Sequence, residues 1–152
     1  MAAHISSVKA LSVMFIVYGA IHLFGYSNFE DIKLLSSGLP GFAVYGIYVF
    51  GITYGIMGIL CGTRMMRRED WARKTALSLT FASLVIGLMM TPVGLKNLGL
   101  LYAKNAGQYD VTLDDLRKSY ILFGAMFTAF EIFFIYFFTR RDILGYFIRD
   151  EQ

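Results

Sequence analysis

Four stretches of this chain are apolar almost all round: Val8 to Tyr26, Gly41 to Gly62, Thr75 to Leu95 and Ser119 to Thr139. Polar residues gather between them. Each stretch holds about 19 to 22 residues, which at ~1.5 Å per residue matches a hydrocarbon core of ~30 Å. A helix in a water-soluble protein would keep a polar face, and these keep none. The pattern predicts an all-α polytopic membrane protein, an antiparallel bundle of four transmembrane helices with short loops, forming one integral membrane domain across the 152 residues.

The connecting segments refine this outline. Ser27 to Pro40 carries Glu30, Asp31 and Lys33 and ends in Ser-Ser-Gly-Leu-Pro-Gly, breakers that are expected to turn the chain directly back. After the third span, Leu98, Leu100, Leu101 and Tyr102 stand among Lys96, Asn97, Lys104 and Asn105, the composition of a short helix lying along the interface. Thr112, followed three residues later by Asp115, resembles a capping box that starts the fourth helix before its apolar part. Beyond Arg140 and Arg141, the tail mixes Ile143, Leu144, Tyr146, Phe147 and Ile148 with charges and is expected to lie in the interface. Lys9 ahead of an apolar run resembles a signal peptide. That run is of membrane length and lacks an A-x-A-like cleavage site, so it is expected to be retained.

Charge orients the bundle. The net charge of +3 suggests a basic binding surface until the residues are placed. Lys9, Arg64, Arg67, Arg68, Arg73, Lys74, Arg140, Arg141 and Arg149 fall on one side, against Lys33, Lys96, Lys104, Arg117 and Lys118 on the other. The positive-inside rule then puts both termini and the Arg64–Lys74 loop in the cytoplasm of a multi-pass cell-membrane protein. With Trp71 at the interface, that loop reads as a determinant of orientation in the lipid bilayer, and no nucleic acid partner is expected.

Candidate chemistry is sparse. Gly51, Gly55, Gly58 and Gly62 fall within roughly 40° of one another on the second span, a seam along which another helix can approach closely for ~16 Å. Glu131 is the acid inside a span, where an ionised carboxylate costs several kcal/mol unless partnered. Thr53, Tyr54 and Ser83 fall at a similar depth and are its expected hydrogen-bond partners. His22 lies about 10 Å away in depth, with Tyr45, Tyr48, Thr91 and Pro92 at its own level, and these would line an outer pocket. The depth difference argues against a direct His–Glu pair and leaves room for a water-linked one.

Other chemistries are excluded by spacing. Cys61 has no second thiol with which to form a disulfide or a Cys-x-x-Cys redox pair. His4 and His22 would stand ~27 Å apart on one helix, too far to hold a haem between them. No His, Cys and carboxylate cluster has zinc-site spacing, so no metal is expected. The favoured reading is a non-enzymatic structural or accessory subunit of a membrane assembly, homo-oligomeric or joined to other membrane subunits and needing no cofactor. Its contacts would be the glycine seam and the seven phenylalanines between Phe123 and Phe138. The alternatives are a small proton- or ion-coupled carrier or channel using Glu131, and a quinone-, lipid- or haem-binding redox subunit using His22.

Overall fold

In the computed structural model, which describes residues 2–105 and 112–148, the apolar runs become four long helices: α1 (Ala2–Gly25), α3 (Gly41–Met65), α4 (Asp70–Lys104) and α5 (Leu113–Thr139). Two short ones accompany them, α2 (Phe29–Leu35) and α6 (Arg141–Ile148). All four long helices are long and apolar enough to cross a membrane, and there is no strand among the described residues. Local signals set where several helices begin. Asn28 caps α2 by accepting from the Glu30 N–H at 3.2 Å. At the start of α5 the Thr112 hydroxyl accepts from the Asp115 N–H at 3.2 Å and donates to the Asp115 carboxylate at 2.6 Å, the box that the sequence suggested.

Three connections differ from the sequence expectation. The segment after Leu95 is no separate interfacial helix but a continuation of α4, which runs 35 residues, or ~52 Å. Pro92 lies inside it, and Leu98 is fully buried. The first loop does more than turn: its residues 29–35 form α2, and Asn97 on α4 donates to the carbonyls of Leu35 at 3.1 Å and Ser37 at 2.8 Å. The Leu35 carbonyl is among the orphan acceptors that every helix end leaves, and a Lys104–Asp31 ion pair at 2.7 Å joins the same two elements. The tail is a helix, α6, that folds back on the bundle, with Ile143 and Phe147 buried in the protein core.

The glycine seam decides how α1 and α3 meet. Gly58 lies against the Gly19 backbone, Gly55 against Leu23 and the Gly19 carbonyl, Gly62 against Ile16 and the Ser12 carbonyl, and Gly51 against the Tyr26 ring. A Cβ on Gly55 would stand 2.5 Å from Leu23 and 2.9 Å from the Gly19 oxygen, so only glycine permits this approach. The seam is therefore filled from within the chain, and Gly19 is its counterpart on α1. Around it, Phe15, Tyr54, Met65, Phe134 and Phe138 form the buried core together with Ile143 and Phe147. This packing lies at the end of the molecule nearest the α3–α4 connection.

Polar contacts close that end. Arg73 is buried, pairs with Asp70 at 2.7 Å and donates to the Phe138 carbonyl at 3.1 Å, with the Phe147 ring beneath its guanidinium. The last turn of α5 has no basic residue of its own, so Arg73 supplies the cation that suits the negative end of that helix. In the preceding connection, Arg64 and the Trp71 indole N–H both donate to Glu69 and hold its carboxyl below the usual carboxylate range. Arg68 turns the chain there with φ 66° and stacks on Tyr146.

Gly55→Leu and Gly46→Leu separate the seam from glycine content alone. A side chain on Gly46 meets nothing within 4 Å. Gly55→Leu is expected to lower stability by ~1 to 3 kcal/mol through overpacking and Gly46→Leu to leave it nearly unchanged, read by thermal unfolding in detergent.

Candidate functional site

Three helical stripes carry polar residues into the same space. On α5, Phe127, Glu131, Phe134 and Phe138 recur at intervals of four, three and four, so the acid occupies the stripe that faces the bundle. On α1, Leu11, Phe15, Tyr18 and His22 repeat the same intervals, and on α4 the inward stripe includes Ala76, Thr80, Ser83 and Gly87. Where these stripes converge, the Tyr18 hydroxyl donates to Glu131 Oε1 at 2.8 Å. Ser83 lines the same cavity beside them. Glu131 is 4% exposed and Ser83 8%, and the donor that the acid meets is the neutral Tyr18 hydroxyl.

The expected partners divide. Ser83 stands where the depth argument put it. Tyr54 is fully buried beside the site but its hydroxyl meets Thr80 at 3.5 Å; Thr80 already donates to the Ala76 carbonyl, so Tyr54 is the donor. Thr53 is exposed, roughly opposite the glycine seam, and takes no part. Tyr18, which the depth argument overlooked, is the partner found. It lies one residue from the midpoint of the first apolar run, close to the level of Glu131, and four residues before His22 on one face.

His22 is packed among rings, with Tyr54 at 4.6 Å, Tyr18 at 4.7 Å and Tyr26 at 5.7 Å between centroids. Its Nδ1 is buried without a hydrogen-bond partner. Of the residues expected around it, Thr91 lines the same cavity, with its hydroxyl donating to the Gly87 carbonyl at 2.8 Å. Tyr45 and Tyr48 instead pack against Phe29 of α2, each at 5.0 Å, and Pro92 is exposed. These three do not form the pocket.

The pocket itself is a cavity of about 510 Å³ bounded by α1, α4 and α5, with Phe50 of α3 at its edge. Glu131, Tyr18 and Ser83 line it next to the packed core, and His22, Tyr26 and Tyr120 line it further along. His22 and Glu131 thus share one space, joined through Tyr18. The remaining wall is mainly apolar, including Ile86, Met90, Phe123 and Phe127. Volumes of this size suit a small organic ligand.

Tyr18→Phe removes a donor from a buried carboxyl and is expected to cost ~1 to 3 kcal/mol. Glu131→Gln keeps an oxygen that can accept from Tyr18 and is expected to remain near the native stability. A cycle of Tyr18→Phe, Glu131→Ala and their double variant, read by thermal unfolding, checks the pair, and independent effects in that cycle would remove it. No protein-family model, curated protein or solved structure matches the chain, which leaves the cavity's own chemistry as the guide to what the protein does.

Proposed function

We propose that this is a four-span cell-membrane protein that binds a small lipophilic molecule in the cavity between α1, α4 and α5, with the Tyr18–Glu131 pair as the polar anchor. The observation that carries this reading is the contrast between two sets of glycines. Gly19, Gly51, Gly55, Gly58 and Gly62 are packed so closely that a Cβ would collide. Gly25, Gly87 and Gly124 line the cavity, and a Cβ on any of them meets nothing within 4 Å. A glycine inside a helix costs ~1 kcal/mol relative to alanine. At Gly87 and Gly124 close packing does not account for that cost, and the cavity beside them leaves room for a ligand.

The fold supports this in outline. Contacts of α1 advance from Ser12 to Tyr26 while those of α3 retreat from Gly62 to Gly51, the register of antiparallel neighbours. The basic residues around Arg64–Lys74 favour a cytoplasmic position for that connection and for both termini. The accessory-subunit reading loses the glycine seam, which α1 fills, and keeps only the exposed rings of α5 such as Phe133 and Tyr136. Lipid covers such a face as well as another subunit would.

Organic extracts of the purified protein, compared by mass spectrometry, test the binding reading. The wild type is expected to carry a small molecule in roughly molar proportion to protein, and Gly124→Leu to lose it while unfolding at the same or a higher temperature, because leucine enters open space and favours helix. Identical extracts from the two proteins would overturn the proposal. Orientation is checked by labelling Arg67→Cys in a Cys61→Ala background. An impermeant thiol reagent is expected to react only after intact cells are opened, and reaction from outside would reverse the sidedness.

A further inference from the structure

We infer that the molecule taken by this cavity is an organic cation, a lipophilic amine or quaternary ammonium, whose charged nitrogen sits between the Glu131 carboxylate and the aromatic rings of the wall. The inference rests on the cavity-binding reading and adds the charge and class of the ligand.

The first argument is charge. Glu131 is the acid among the residues lining the cavity, and neither Lys nor Arg is among them. Its partner, Tyr18, is a neutral hydroxyl, and so is Ser83 beside it in the lining. The buried cation elsewhere in the core, Arg73, is engaged by Asp70 and the Phe138 carbonyl at the opposite end of the packed half. An ionised carboxylate in this setting has donors but no countercharge, and a cation entering the cavity supplies one. An anion would meet repulsion instead.

The second argument is the wall. Tyr18, Tyr26, Phe123 and Phe127 present rings to the cavity alongside Phe50 and Tyr120. Aromatic faces attract ammonium groups, most strongly where water is excluded.

Two probes of nearly equal shape isolate the charge: benzyltrimethylammonium and its neutral carbon isostere neopentylbenzene. Binding of each is measured by calorimetry to wild type and to Glu131→Gln in nanodiscs of zwitterionic lipid, with empty nanodiscs subtracted. The ammonium is expected to bind the wild type at least tenfold more tightly than the isostere and to lose at least tenfold in Glu131→Gln, while the isostere binds both proteins alike. Equal affinity of the two probes for the wild type, or an ammonium affinity untouched by Glu131→Gln, would overturn the cation assignment. In that event, isostere binding that disappears in Gly124→Leu would leave the cavity reading standing. Failure of both probes to bind the wild type would remove the cation assignment, and identical organic extracts would remove the cavity reading with it.

Discussion

Backbone against backbone is the contact on which the rest of this molecule depends. Gly19 meets Gly55 and Gly58 so closely that no side chain separates α1 from α3 there. Dispersion between such surfaces is the main attraction open to helices in lipid, where apolar residues gain nothing by leaving one hydrocarbon for another. Once the two helices are fixed in this register, the face of α1 bearing Phe15, Tyr18 and His22 is directed at α5. Phe15 stacks on Phe134 at 4.5 Å, and Tyr18 reaches Glu131. The placement of the acid's partner follows from a glycine contact on the adjoining face of α1.

Much of the architecture was legible in residue order because it rests on continuous apolar runs and a few short-range signals. The four spans, the Thr112–Asp115 box and the packing role of the seam are of this kind. What was missed depends on distant contacts. Lys96 and Asn97 looked like the start of a separate interfacial helix, whereas Leu98 on the inward face keeps α4 continuous and Asn97 has the carbonyls of Leu35 and Ser37 to satisfy. A proline inside a long helix is tolerated when its neighbours compensate.

The polar site was half legible. Glu131 and His22 were singled out by cost, since titratable groups in a span need a reason to be there. Depth along each helix located Ser83 but could not say which way Thr53 faced. The seam held that information, since Thr53 stands nearly opposite Gly51, Gly55, Gly58 and Gly62 and so must face away from α1. Tyr18 combined the right depth with the face of His22, a conjunction visible only when depth and helical angle are read together.

The uneven distribution of packing has a mechanical consequence. Around Arg73, the start of α4, the end of α5 and the α6 helix are bound by an ion pair, a carbonyl contact and buried rings. Beyond Glu131 the same two long helices border open volume, and α4 is clasped there to the short α2 through Asn97 and Lys104. Regions with fewer buried apolar contacts deform at lower free energy than a packed core. The molecule is thus a stiff base carrying compliant arms, and the arms can part at lower free energy than the base.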